Sequence, residues 1–337
     1  MSALEIWRHA FPVAGQTAAL AKRVEALGFD GLLLADSQNL EGDVYVELAL
    51  AAGATERLRL GVGVTNPLTR HAAVTASAIA TVQVESGGRA VLGIGRGDSA
   101  LRQIGHEPAS VETFARYVEQ VQAYLRGEAV ATGGIESRIA WLEAAGQPKV
   151  PLDVAATGPR VIAAGARLAE RVTFTVGADE DRLAWAVGAA RAAAPDGAPP
   201  SLGAYVNVGC GGDVHEACRL VRGSAGILAH FSSMGHDQPE RVAPEDERVI
   251  EELGRSYDEA RHGQSAASHS AILDDEFIER FAVVGPPDRC AERLRALAAV
   301  GLDRIVMVPG SIDADPDAVA RSDELFARDV IPLLRGG

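Results

Sequence analysis

Eight times along this chain a short apolar run of strand length is followed by a longer segment with helical periodicity. The apolar runs are Leu4–Trp7, Asp30–Ala35, Leu58–Val64, Ala90–Ile94, Leu152–Ala156, Val172–Val176, Gly203–Val208 and Arg304–Val308. The predicted helices are Gly15–Leu27, Val44–Thr55, His71–Glu85, Val111–Leu125, Pro159–Leu168, Glu180–Ala194, Val214–Leu228 and Pro286–Val300, with Pro316–Leu334 closing the chain. This count in 337 residues predicts one α/β domain over 1–337, a (β/α)8 TIM barrel, with a doubly wound sheet as the alternative. Gly28-Phe-Asp30 and Gly301-Leu-Asp303 favour the barrel. The same helix-to-strand device at both ends suits a closed ring of similar units.

Charge and cysteine content narrow the function classes. A formal net charge of −14 argues against nucleic acid or an anionic membrane as partner. The three cysteines, Cys210, Cys218 and Cys290, have no metal-site spacing, which fits a reducing compartment. The first residues lack a basic stretch followed by an apolar one, and no uncharged run reaches spanning length, so the expected location is the cytoplasm.

In a barrel the strand C-terminal ends share the functional face. The most unusual end is Val91-Leu-Gly-Ile-Gly-Arg-Gly-Asp-Ser-Ala100. Here Gly93, Gly95 and Gly97 alternate and Asp98 follows at once. Glycines at a strand end let a flat group lie against the backbone, and their spacing is wrong for a dinucleotide fingerprint. At Gly61-Val-Gly-Val-Thr-Asn-Pro67 a bulge and a plain strand end remain equal readings. Two helix openings, Thr157-Gly-Pro-Arg160 and Val176-Gly-Ala-Asp179, suit an anion, because free N–H groups and the positive dipole end lie there. His9, Asp36 and Asp98 are too few to predict a metal centre, and no nucleophile elbow is present. The polar stretch His230–Leu273, carrying His230, His236, His262 and His269, breaks the alternation. A lid or substrate loop and a dimer contact remain open for it.

Taken in order, Gly61–His71, Gly87–Asp98, Val154–Arg160 and Val176–Asp179 resemble the luciferase-like monooxygenase superfamily. The similarity is to its coenzyme F420-dependent oxidoreductase branch, which includes methylenetetrahydromethanopterin reductases. The resemblance implies a TIM barrel with the deazaflavin on the C-terminal face and a non-prolyl cis peptide, here Gly63–Val64, behind the ring. It assigns Asp36, Asn66, Arg96, Gly97 and Asp98 to the ring and its side chain. It assigns Thr157, Gly158, Arg160, Val161, Gly177 and Ala178 to the phosphate end. Ser37 stands where sugar-phosphate and alcohol dehydrogenases of the family carry a histidine. Trp7, His9 and Asp98 are then the candidates for handling a proton, with desolvation expected to raise the Asp98 pKa and make it a general acid. The implied reaction is hydride transfer between F420 and a small organic substrate, with a homodimer as the implied assembly. The alternatives are an FMN-dependent monooxygenase and a non-catalytic flavin-binding barrel.

Overall fold

The computed structural model describes residues 4–233 and 244–336. Eight strands form a closed parallel ring: β1 (Glu5–Ala10), β2 (Gly31–Leu34), β3 (Arg59–Thr65), β4 (Ala90–Ile94), β5 (Leu152–Ala156), β6 (Arg171–Phe174), β7 (Ser201–Cys210) and β8 (Arg304–Val308). Each pairs with its sequence neighbour, and β8 pairs with β1 through Glu5↔Arg304 to Arg8↔Met307. This is the (β/α)8 barrel, not the doubly wound sheet.

The ring closes around strands that are largely apolar. Outward residues such as Leu32, Leu34, Leu60 and Val62 join a core with the inner sides of the surrounding helices. Burial of this kind contributes about 25 cal/mol per Å² of apolar surface. Helix starts follow local chemistry. Asp43 caps Val44–Ala54 by accepting from the backbone of Tyr45 and Val46, and Ser110 caps Val111–Leu125 by accepting from Thr113.

Inside the barrel, the N-terminal half is plugged. Trp7 fills the centre against Gly31, where a Cβ would come within 2.3 Å of its ring. Arg304 is 1% exposed and donates to Asp153 Oδ2 at 3.0 Å and Thr173 Oγ1 at 2.9 Å. A buried guanidinium needs such a partner. With this end closed, the open space lies at the C-terminal face.

The structure adds elements that the sequence reading lacked. Val130–Thr132 and Ile135–Ser137 form an antiparallel hairpin. Beyond β7 the helix runs on to Ser233, and Pro244–Ser256 and Asp275–Phe281 are also helical. Val283–Gly285 extends the sheet beside the C-terminal end of β7. His236 lies outside the described residues.

Candidate functional site

A cleft of about 730 Å³ opens at the C-terminal ends of the strands, within the range of small-molecule sites. Its floor is built by residues that leave the barrel in succession. These are His9 from β1, Asp36 after β2, Gly63, Val64 and Asn66 around the end of β3, Gly95–Asp98 after β4, Thr157 after β5 and Thr175 after β6.

The Gly63–Val64 peptide is cis, as the resemblance implied. The β3–β4 register shifts between Val62 and Thr65 at the same point, so the bulge reading of this strand end holds. His9 Nε2–H donates to the Gly63 carbonyl at 2.8 Å. Burial and the nearby Arg8 charge push the His9 pKa down to about 4, outweighing that bond. The imidazole is therefore neutral at physiological pH and acts as a hydrogen-bond donor. Asn66 folds its side chain back to accept from the Leu68 and Thr69 N–H groups, fixing the turn after β3.

The three alternating glycines serve three different ends. A Cβ at Gly93 would lie 2.0 Å from the Val62 carbonyl oxygen, so this position lets β3 and β4 close on each other. Gly95 lines the cleft against Val64. Gly97 has φ +83°, the left-handed conformation that turns the chain toward Asp98.

Asp36 is buried and paired with Arg70, whose guanidinium also reaches Asp43 and lies 5.0 Å over the Tyr45 ring. Ser37 lines the cleft at the position noted above.

At the other end of the cleft, Thr157, Gly158, Pro159, Arg160 and Val161 form the opening of the helix Pro159–Leu168. No side chain caps it, and a Cβ on Gly158 would meet nothing within 4 Å. Arg96 and Arg160 flank this opening. Burial and the charge of Arg160 both push the Arg96 pKa down. Two like charges facing a bare helix N-terminus suit an anion.

The second helix opening is different. Asp179 itself caps Glu180–Ala193, accepting from the Arg182 N–H at 2.8 Å. The Ala178 N–H is taken by the Phe281 carbonyl, and Gly177 packs on the Phe281 ring. Gly177 and Ala178 therefore do not line the cleft. The carboxylate already fills the anion's place at this opening. Trp7 also lies outside it. Its Nε1–H donates to Glu5 Oε2 and the Arg171 guanidinium lies 4.7 Å over its ring, at the opposite end of the barrel.

Asp98 lines the cleft as expected, but its ionisation is the reverse of the expectation. Burial raises its pKa, while His230 and Arg102 lower it further, so the carboxyl sits below its ordinary value. Arg102, one helical turn on, lies 3.1 Å from Asp98 Oδ1. His230 approaches from the helix Val214–Ser233. Sequence spacing offered no signal for this pairing. Tyr205, Thr175 and Ser224 also line the cleft and were not foreseen; they sit on strand and helix positions that read as core.

A parallel (β/α)8 barrel with a deep cleft at its C-terminal strand ends is the layout of the barrel enzymes. Sequence comparison places it more narrowly. The chain belongs to the luciferase-like monooxygenase family, whose model matches residues 3–304. It is 30% identical over 328 residues to a 5,10-methylenetetrahydromethanopterin reductase of Archaeoglobus fulgidus, covering 93% of this chain and 94% of that one. A glucose-6-phosphate dehydrogenase of Nocardia farcinica, named as F420-dependent, is 27% identical over 86% of this chain and 82% of its own length. Among solved structures, the coenzyme F420-dependent tetrahydromethanopterin reductase of Methanopyrus kandleri superposes with a TM-score of 0.75 at 23% identity. That match covers 98% of this chain and 99% of the other, a likeness of fold.

Proposed function

We propose that the chain is an F420-dependent oxidoreductase of the luciferase-like class, moving a hydride between the deazaflavin and a small organic substrate. The observation that carries this reading is the likeness, over nearly the whole chain, to relatives whose names specify F420. The residues present fit the group. The cleft has a polar, backbone-lined wall at Gly63–Val64 and an uncapped helix start between two arginines at the other end. Bound there, F420 supplies a ring carbon that gives or accepts a hydride.

The chain's own residues do the rest. Gly63 and Val64 back one ring face, and His9 fixes that wall from inside the barrel. Asp36, Asn66, Arg96 and Gly97 orient the ring and its side chain. The backbone of Thr157–Val161 and the side chain of Arg160 hold the phosphate. Asp98 stands in the same cleft as an ionised carboxylate, suited to accept a hydrogen bond. Ile227, Leu228 and Phe231, on the helix entering the 230–273 insertion, line the cleft and exclude water from it.

The chain assembles as a homodimer in this reading. Val46 and Leu50 on Val44–Ala54 and Val74 on Ala72–Glu85 are more than half exposed on neighbouring helices. Burying them against a second copy removes apolar area from water.

Fluorescence titration of the purified protein with F420 and, separately, with FMN tests the cofactor. The reading expects saturable F420 binding and weak or absent FMN binding. A clear preference for FMN would replace it with the monooxygenase reading. Sedimentation velocity tests the dimer, with a monomer at micromolar concentration as the contrary result.

A further inference from the structure

The insertion after β7 returns several of its titratable side chains to the cleft. His230 is 7% exposed. Its Nε2 lies 3.5 Å from Asp98 Oδ2 and 3.5 Å from Glu259 Oε1. Its ring lies parallel to that of Tyr257, with centroids 3.9 Å apart and planes 9° off, so its orientation is set by packing. Tyr257 is tied in turn to His262, with its hydroxyl 2.9 Å from Nδ1. His269 packs on the far side of Tyr257, and its Nδ1 accepts from the Asp258 N–H.

Charge balance identifies the state of His230. Two carboxylates meet His230: Asp98, 7% exposed, and Glu259, 26% exposed. Arg102 brings one positive charge, with its Nε 3.1 Å from Asp98 Oδ1 and 3.4 Å from Glu259 Oε1. Its other partner, Glu107, is 77% exposed and solvated. Of the remaining groups facing the cluster, His262 is held neutral, its pKa pushed down to about 4 chiefly by burial. Burial also lowers His269 and raises Tyr257, so both are neutral. Two carboxylates thus share one partly exposed guanidinium, and the buried one, Asp98, is strongly unfavourable as a charge without a close cation. An imidazolium at His230 closes the balance.

We propose that His230 is a positioning residue: a buried imidazolium, brought by the insertion, that holds Asp98 ionised and aimed into the cofactor cleft. Burial alone would push His230 down, but the two carboxylates outweigh it and raise it to about 9. The lowered Asp98 pKa is the other half of the same pair. The electrostatics of the cleft are therefore complete only when the insertion is folded onto the barrel.

The same cluster has a rival occupant. One ligand atom each from Asp98, His230 and Glu259 lie within 4.8 Å of one another, a spacing that a metal ion can use. The Arg102 guanidinium inside the cluster opposes a second fixed cation there.

The test follows the imidazole by NMR on uniformly ¹⁵N-labelled protein from pH 5 to 10, with the His230 resonance assigned by its loss in H230Q. The wild type should titrate near 9, and D98N and E259Q should each lower that value by a unit or more. A second arm measures the F420 dissociation constant by fluorescence at pH 7. H230Q should weaken binding roughly fivefold in the wild-type background and less than twofold in D98N, with melting curves confirming that all four proteins are folded. A histidine that merely supports the fold would weaken both backgrounds equally. Titration of His230 at or below the ordinary histidine value overturns the proposal, as do equal losses in the two backgrounds or saturable Co²⁺ binding at micromolar concentration. Only the binding arm rests on the F420 reading. If wild-type protein fails to bind F420, that reading falls while the titration still decides His230.

Discussion

His9 Nε2–H is hydrogen-bonded to the carbonyl of Gly63, 2.8 Å away, so a side chain of β1 holds the cis peptide near the end of β3. A neutral bond of this type contributes about 1 kcal/mol, and losing it leaves a part-buried carbonyl without this partner at a cost of about 1–2 kcal/mol. H9F should therefore lower stability by roughly that amount and weaken F420 binding several-fold. H9Q retains a donor and should lose less. Denaturant unfolding and fluorescence titration of both variants check this, and equal losses in H9Q and H9F would contradict it.

The buried histidines also predict how stability follows pH. His9 and His262 are pushed down to about 4 from the ordinary 6.5. In this range the unfolded chain binds more protons than the folded one, so stability should fall as pH drops from about 6.5 toward 4. Glu41, pushed up to about 7 chiefly by burial, works the other way in the same window, because its folded form takes up a proton first. His269, lowered chiefly by burial, adds to the loss, and H9Q or H262Q should flatten it. His230 has the opposite sign. Raised to about 9, it contributes stability that is complete below 6.5 and lost as pH rises through 9. Melting temperatures across pH 4–10 should fall at both ends, and H230Q should remove most of the alkaline fall.

Much of this architecture is legible in the sequence because the strands are apolar and bounded by turn residues. β4, β5 and β8 have the predicted limits, as do the helices Val111–Leu125 and Pro159–Leu168. β1 runs three residues further than the apolar pattern suggests. Its last residues include Arg8, paired with Asp323 of the helix Pro316–Leu325, and His9, bonded to the Gly63 carbonyl of β3. The hairpin at 130–137 and the helices of the insertion are short or polar, so periodicity gives them no signature. The site is legible where a strand end supplies it, as at Gly63–Val64 and Gly95–Asp98. It is not legible where two distant segments meet. The ionisation of Asp98 depends chiefly on His230, and no local pattern ties the two residues together. The opening at Val176–Asp179 misled for a related reason: its own aspartate satisfies the helix, so a turn that resembles an anion site is already capped.

Two glycines, Gly93 between paired strands and Gly158 on the cleft, should respond in opposite ways to the same substitution. A Cβ at Gly93 meets the Val62 carbonyl at 2.0 Å, between two paired strands that cannot separate without breaking the ring. Gly93→Ala should therefore be destabilising by at least about 2 kcal/mol or yield insoluble protein. At Gly158 the new methyl group meets nothing, and the backbone φ of −96° is open to alanine. Gly158→Ala should melt with the wild type yet bind F420 several-fold more weakly, because the methyl group occupies space beside the bare helix start. Loss of stability at Gly158, or none at Gly93, would contradict this assignment.

Arg160 separates cofactor binding from folding most cleanly. It is exposed at the first turn of Pro159–Leu168, lines the cleft, and has no ion-pair partner among the described residues. Removing it breaks no ion pair among the described residues, and Arg160→Ala should melt within about 0.5 kcal/mol of the wild type, as surface changes usually do. Its partner in charge, Arg96, is anchored by its Nε–H to the Ala109 carbonyl and stays in place. The loss should appear in cofactor affinity, on the order of tenfold for a charge-assisted contact to a phosphate. Because that contact is solvent-accessible, added salt should weaken wild-type binding more steeply than it weakens Arg160→Ala. F420 titrations at low and high ionic strength measure both effects. Parallel salt dependence in the two proteins would place the phosphate elsewhere in the cleft.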